Sequence, residues 1–189
     1  MSLSRLHSGA MLVPDLTGPA RLRLLEDHDA EALFELIAED RERLARWMPW
    51  AAGQTLEGTR EFIRASRRQH AANDGMQTAI VIEGAIAGVV GVHGISWEDQ
   101  TTSIGYWLGE RFTGRGLMTD AVRAYTRQAF EAWELHRMEL RAAVENASSR
   151  AVAERLGFRL EGVLRGAQVV GHRRYDLAVY AALAPDWSW

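Results

Sequence analysis

The sequence predicts a single α+β domain in which a mixed, mostly antiparallel central sheet is flanked by helices. Three observations support this fold class. The chain has 189 residues, 47% hydrophobic and 25% charged, which is the balance of one ordinary globular domain. Its middle is rich in Val and Ile with turn residues between the runs, a pattern typical of consecutive antiparallel strands. Helical patterns precede those runs and alternate with strands after them. The domain is expected to occupy residues 1–189, with residues 1–19 as an N-terminal extension.

The first third of the chain predicts one strand and two helices. Residues 21–25 alternate briefly and are expected to form the first strand. Asp27 is expected to cap a helix whose apolar positions recur every three or four residues and that runs to about Leu44. A second helix, from about Leu56 to Asn73, is expected to turn Phe62 inward and an Arg-rich face outward.

The rest of the chain predicts six strands and two helices. Glu83 and Gly84 separate two Val- and Ile-rich runs and indicate a hairpin turn. The strands are expected at residues 77–82, 86–95, 101–108, 136–144, 158–164 and 177–183, and the helices at about 117–133 and 146–157.

Composition excludes several classes of function. The chain has no Cys, which excludes disulfides, thiolate metal sites and Cys nucleophiles, and no metal site is expected. Its formal net charge is −3, so nothing indicates a nucleic-acid or anionic-membrane partner. No run of about 18 apolar residues occurs, so no membrane span is predicted. The N-terminus does not read as a signal peptide, and the cytoplasm is the expected location.

A glycine-containing turn between a predicted strand and a predicted helix is the most informative local motif. It reads Arg111-x-x-Gly114-x-Gly116. Glycines allow a tight turn and a close ligand approach, and the free N–H groups at a helix start suit a phosphate or pyrophosphate. A plain strand-to-helix turn is the alternative. A dinucleotide fingerprint would require a third Gly where Thr119 stands, and a P-loop would require Lys, which the chain lacks.

Three further segments follow the same order as those of a known family. Residues 104–108 read IGYWL, Asn146 and Ser149 form N-x-x-S, and residues 155–162 read RLGFRLEG. Together with the glycine turn, they closely resemble the GNAT superfamily of acetyl-CoA-dependent N-acetyltransferases. The likeness is strongest to the RimJ/RimL branch, which acetylates the N-termini of ribosomal proteins. The resemblance spans about residues 20–187.

The resemblance implies a GNAT fold in which two splayed strands hold acetyl-CoA. A backbone N–H near Leu108 would polarise the thioester carbonyl, and Ser149 would protonate the departing thiolate. Helix capping is the alternative role for Asn146 and for Ser149. The residues implied in coenzyme binding are Trp107, Leu108, Arg111, Gly114, Arg115, Gly116, Leu117, Met118, Thr119, Asn146 and Ser149.

The general base is not identified by the resemblance. A protein α-amino group has a pKa of about 8 and must lose a proton before it attacks. Ser103 and Gln168 stand where relatives carry Glu, and neither side chain can take that proton. The remaining candidates are a water chain or one of the side chains Glu161, His93 and His172.

The acceptor is expected to be a primary amine, with a protein N-terminus such as that of a ribosomal protein preferred. Trp47 and Trp50 would form an apolar wall for it, or would pack into the core. A small-molecule amine, another short acyl group, and a non-catalytic acyl-CoA sensor remain open. Trp187 and Trp189 look exposed at the C-terminus and indicate a subunit contact, in line with a homodimer.

Overall fold

The computed structural model describes residues 11–188, in which seven strands form one sheet in the order β1-β2-β3-β4-β5-β7-β6. Residues 1–10 of the expected extension, and Trp189, lie outside the described residues. The strands are β1 (Ala20–Leu24), β2 (Gly75–Ile82), β3 (Ala85–Ser96), β4 (Thr101–Leu108), β5 (Arg137–Ala143), β6 (Arg159–Val170) and β7 (Arg173–Leu183). The helices are α1 (Ala30–Glu39), α2 (Arg41–Leu44), α3 (Leu56–Ala71), α4 (Leu117–Glu131) and α5 (Ala147–Arg155). The predicted fold class is confirmed.

The core lies on both faces of β2 and β3. These strands read as nearly continuous apolar runs because helices cover both sides, with α1 and α3 on one face and α4 on the other. The buried hydroxyl of Tyr125 on α4 hydrogen-bonds Thr78 Oγ1 at 2.9 Å, which satisfies both groups. The predicted hairpin turn is present, with positive φ at Glu83 and Gly84. Within the described residues, no helix combines the length and apolar character needed to cross a membrane.

Strands β4 and β5 form the one parallel pair of the sheet among the residues described, and they separate along their length. They pair from Thr101–Arg137 to Ile104–Leu140. Beyond that point β4 stays paired with β3 and β5 stays paired with β7, so the two strands splay. The crossover helix α4 connects them.

The prediction of one continuous first helix, capped by Asp27 and running to about Leu44, is wrong in where the helix starts and in that the helix is interrupted. Residues 27–29 form a single 3₁₀ turn, and α1 starts at Ala30. Asp27 does not cap it: the buried Asp29 carboxylate accepts a bond from Glu26 N at 2.8 Å and two bonds from Arg23 at 2.6 Å. The helix then breaks at Asp40, whose φ of −107° and ψ of 13° are not helical.

The last two strands are longer than predicted. Strands β6 and β7 form a long hairpin that turns at Gly171 and His172, whereas the sequence predicts that the first of them ends at residue 164 and that the second begins at residue 177. Strand β6 lies at the edge of the sheet and is exposed along most of its length. Because neither of its faces is buried along most of its length, its sequence lacks the alternation of apolar and polar residues that predicts a strand.

Trp187 does not form an exposed C-terminal patch. Its ring packs edge-on against Phe130 and Phe158, each with a ring-centroid distance of 5.9 Å. The expectation that this tryptophan is exposed is therefore wrong, and its link to a subunit contact stays a prediction.

Candidate active site

The glycine turn leads into helix α4 with free backbone donors. Gly114 and Gly116 have φ values of 74° and 78°, a left-handed conformation that suits glycine. The first hydrogen bond of the helix runs from Asp120 N to Gly116 O. The N–H groups of residues 117–119 therefore have no acceptor within the helix. The side chains of these three residues are buried, so it is their backbone that can serve an anion.

A cleft of about 960 Å³ runs from this turn, past the end of β4, to the start of α5. Arg111 lies outside its lining: it pairs with Glu39 at 3.2 Å and stacks on the ring of Phe112 at 5.0 Å. The other residues that the resemblance implies all line the cleft: Trp107, Leu108, Gly114, Arg115, Gly116, Leu117, Met118, Thr119, Asn146 and Ser149.

Two arginines that the sequence analysis did not single out also line this cleft. Arg155 Nη1 donates to Thr119 Oγ1 at 2.6 Å, which ties α5 to the first turn of α4. Arg43 Nη2 donates to the Leu108 carbonyl at 2.5 Å and to Asp40 at 2.6 Å. Arg155 stands within the recognised RLGF segment and could have been proposed, whereas Arg43 carries no sequence signal.

Asn146 and Ser149 are held at the start of α5. The Asn146 side-chain oxygen accepts from Ser149 N at 3.2 Å, which is the helix cap expected as an alternative. The Ser149 hydroxyl lies 3.0 Å from the hydroxyl of Tyr106, which is also within hydrogen-bond distance of the Ser149 carbonyl, at 3.2 Å. Burial raises the pKa of Tyr106 to about 12, so its phenol stays protonated at neutral pH.

A second cavity, of about 810 Å³, lies on the sheet face covered by α1 and α3. Trp50 is 39% exposed and faces Trp107 with a ring-centroid distance of 6.0 Å. It therefore lines the wall of this cavity and is not part of the hydrophobic core. Trp47 lines the same cavity and packs on Tyr175 at 5.7 Å. Phe62, predicted to turn inward, is 37% exposed and lines this cavity.

The two cavities meet at the splay between β4 and β5. Ser149 and Tyr106 therefore lie where a coenzyme thioester and an acceptor amine could come together. The residues common to both linings are Trp47, Met48, Tyr106, Trp107, Asn146 and Ser149.

The candidate bases differ in their positions. His93 lines the second cavity, whereas Glu161 and His172 do not. Glu161 is held by Arg137 through bonds of 2.6 and 2.7 Å, which lower its pKa and make it a poorer base. Gln168 lines the cavity, and its Nε2 donates to the Trp47 carbonyl at 3.1 Å.

His93 is accommodated by small residues on β4. A side chain at Gly105 would place its Cβ 2.9 Å from the His93 ring, so glycine there leaves room for the imidazole. Ser103 donates to the His93 backbone carbonyl at 3.1 Å. Desolvation at the cavity wall lowers the pKa of the His93 imidazole. The ring is therefore neutral at neutral pH and has a free nitrogen to accept a proton, although the same shift makes it a weaker base.

Glu139 is a cavity carboxylate that the sequence analysis missed. It lies beside Ser103 in the β4–β5 register and lines the second cavity. Its two oxygens are bound by Arg137 at 3.0 Å and Arg141 at 2.6 Å. In residues 11–188 no group of three His, Cys, Asp or Glu side chains is arranged to hold a metal ion.

Residues 20–159 match the family model for the acetyltransferase (GNAT) domain. The chain belongs to the GNAT family. It is an acetyl-CoA-dependent N-acetyltransferase, and the sequence-based expectation of family, fold and activity is confirmed.

Relatives and solved structures agree with this assignment. The chain is 38% identical to YdaF of Bacillus subtilis, provisionally named a ribosomal N-acetyltransferase, over 88% of this chain and 92% of YdaF. It is 28% identical to the ribosomal-protein-serine acetyltransferase of Escherichia coli, over 86% of this chain and 91% of that one. A RimL structure in complex with coenzyme A superposes with a TM-score of 0.87 at 25% identity, covering 91% of this chain and 98% of RimL. The acetyltransferase MccE, solved with acetyl-CoA and AMP, superposes with a TM-score of 0.85 at 28% identity, covering 92% and 98%.

We expect the His93 imidazole to titrate below pH 6.5, because burial favours its neutral form. The unfolded chain then binds this proton more readily than the folded one. The contribution of His93 to stability is therefore complete above about pH 6.5 and declines as the pH falls. NMR titration of the imidazole resonances measures the midpoint, and His93→Gln identifies the signal. A midpoint at or above 6.5 would contradict the prediction.

Proposed function

We propose that the protein transfers the acetyl group of acetyl-CoA to the α-amino group of a protein N-terminus, such as that of a ribosomal protein. The observation that carries this proposal is the meeting of the phosphate-suited cleft and the aromatic-walled cavity at Ser149. The names of the relatives support a ribosomal-protein acceptor. Such an acceptor would place the enzyme in the cytoplasm.

The cleft residues fit coenzyme A. We assign the pyrophosphate to the amides of residues 117–119 behind the two left-handed glycines, where the helix dipole favours an anion. Arg115 and Arg155 add positive charge along the same cleft. Where β4 leaves β5, residues 105–107 keep their pairing with β3 but have no strand partner on the β5 side, so their backbone groups on that side would bind the pantetheine arm.

The chemistry requires little from the protein. Acetyl-CoA supplies an activated thioester, and a backbone N–H near Leu108 would stabilise the developing oxyanion. The amine nitrogen bonds to the carbonyl carbon, the carbon–sulfur bond breaks, and the amine loses one proton. Ser149 would give a proton to the departing sulfur and recover one from water. His93 or water would take the amine proton, since Gln168 cannot.

An acceptor panel tests the proposed function. We expect peptides with a free N-terminal Ser or Ala to release coenzyme A thiol, and the same peptides with a blocked N-terminus to be inert even when they contain Lys. The measurement is thiol release with acetyl-CoA, repeated with succinyl-CoA to test the acyl group. Ser149→Ala should slow release while coenzyme affinity is kept, because its hydroxyl acts on the leaving sulfur.

Other outcomes of the same panel would overturn the proposal. Turnover confined to polyamines, amino sugars or amino acids would make the acceptor a small molecule. Coenzyme binding without thiol release from any acceptor would make the protein an acyl-CoA sensor.

Replacing Gly116 by Ala should weaken coenzyme A binding at least tenfold, because a Cβ there obstructs the approach of the pyrophosphate to the turn. Gly171→Ala is the matched control: it is also left-handed, with φ of 59°, and nothing lies within 4 Å of its added Cβ. Calorimetric titration measures both affinities. Equal losses at the two positions would mean that backbone strain, and not the ligand, accounts for the change.

We also propose a homodimer formed through the edge strand β6. This strand exposes four large apolar side chains, each between 42% and 51% accessible: Leu160, Val163, Leu164 and Val169. An edge strand with such a surface is a natural site for pairing with a second copy.

Val163→Asp should convert the dimer to a monomer, since a charge at this edge would be buried in the interface. Leu12→Asp, at an exposed apolar residue elsewhere, should leave the dimer intact. Sedimentation equilibrium measures the mass of each. A monomeric parent protein, or an unaffected Val163→Asp variant, would reject this interface.

A further inference from the structure

A tyrosine on β4 contacts Ser149 on α5, the residue proposed to protonate the leaving sulfur, and the proposed mechanism gives this tyrosine no role. Tyr106 lies on β4 at the splay, and its hydroxyl meets the start of α5. It is within hydrogen-bond distance of two oxygens of one residue, the Ser149 carbonyl at 3.2 Å and the Ser149 hydroxyl at 3.0 Å. Tyr106 lines both cavities, as Ser149 does.

We propose that Tyr106 is a positioning residue that donates its hydroxyl proton to Ser149 Oγ and so directs the Ser149 proton towards the thioester sulfur. This inference rests on the proposed function, in which Ser149 protonates the leaving group.

The hydrogen-bond inventory explains why a donor matters here. A serine hydroxyl has one proton and rotates to suit its neighbours. Were Tyr106 to donate to the Ser149 carbonyl, its oxygen would be free to accept the serine proton and hold it away from the sulfur. When Tyr106 donates to Ser149 Oγ instead, that proton is released for the leaving group. The shorter distance is the one to Oγ.

The surroundings keep the Tyr106 phenol protonated and so able to donate. Burial raises the pKa of its phenol to about 12 and outweighs both the hydrogen bond with Ser149 and the positive charge of Arg155, which act in the opposite direction. The phenol therefore keeps its proton throughout the working pH range. The backbone of Ser149 is held independently, because its N–H donates to the Asn146 side chain.

Proton balance follows from this arrangement. As the carbon–sulfur bond breaks, the Ser149 proton moves to sulfur, and negative charge develops on Ser149 Oγ. That charge is only partial in the transition state, and the Tyr106 hydrogen bond stabilises it while water supplies the replacement proton. Ser149 is then reprotonated from water, and the proton lost by the amine goes to His93 or to solvent.

Tyr106→Phe tests the inference, with Tyr125→Phe as the matched control. Both changes remove a phenol hydroxyl that is hydrogen-bonded within the fold, but the Tyr125 hydroxyl bonds Thr78 inside the core, away from both cavities. With acetyl-CoA and the best peptide of the panel, we expect Tyr106→Phe to lower kcat at least tenfold and to change the Kd of coenzyme A less than twofold. Tyr125→Phe should leave kcat within twofold of the parent.

A second acyl donor separates positioning from general damage. The 4-nitrothiophenolate of S-acetyl-4-nitrothiophenol leaves without protonation, whereas an aliphatic thiolate, with a thiol pKa of about 8.5, benefits from an acid. The kcat/KM defect of Tyr106→Phe should therefore shrink to less than twofold with the activated thioester. An equal defect with both donors would show a structural role and overturn the inference.

Ser149→Ala, measured with both donors, separates the two proposals. If it slows acetyl-CoA turnover and Tyr106→Phe does not, the tyrosine inference fails and the serine assignment stands. If Ser149→Ala turns over acetyl-CoA at the parental rate, the proposed acid fails, and the inference about Tyr106 fails with it. In the double variant, we expect the rate to equal that of Ser149→Ala alone, since Tyr106 acts through the serine.

Discussion

The separation of β4 from β5 is the constraint on which the rest of the site depends. The parallel pair ends at Ile104 and Leu140 because β4 remains paired with β3, β5 remains paired with β7, and the sheet divides. This division leaves β4 backbone groups free in the middle of a sheet, where they would ordinarily be paired. It also lets a cleft on one face of the sheet reach a cavity on the other face. An intact ladder here would close the route between coenzyme and acceptor.

Because β4 has separated from β5 at this point, the start of α5 is held by contacts with β7 and with the end of β5 instead. Arg150 bonds the Tyr180 hydroxyl at 2.9 Å and the Val144 carbonyl at 3.1 Å, and Tyr180 donates to Glu154 at 2.7 Å. These bonds fix the helix start to β7 and to the end of β5. The position of Ser149 in the gap therefore depends on polar contacts to neighbouring strands more than on apolar packing, since only Val152 and Ala153 of α5 are buried.

Sequence patterns could predict those parts of the molecule whose signal is local. The glycine turn, the cap at Asn146 and the Val-rich hairpin each follow from residues adjacent in the chain. The exposed edge strand β6 carries no burial pattern, so its length was missed. The contact of Arg43 with Leu108, 65 residues away, and the nearness of Tyr106 to Ser149, 43 residues away, depend on the tertiary fold. No spacing rule along the chain reports such pairs.

Ser103 and Gln168, which line the second cavity, are uncharged, so they supply neither a base nor a counter-charge to it. Glu139 also lines the second cavity, but Arg137 and Arg141 already bind both of its oxygens, so it offers little to an incoming ammonium. The His93 imidazole and the Tyr106 phenol are both uncharged at neutral pH, since burial lowers the pKa of the first and raises that of the second. Among the described residues that line the cavity, none offers a cation a free counter-charge to offset its desolvation. The cavity therefore favours the neutral amine, the form that attacks a thioester, and an α-amine with a pKa of about 8 supplies that form at low cost. A lysine side chain, with a pKa of about 10.4, supplies it far less readily.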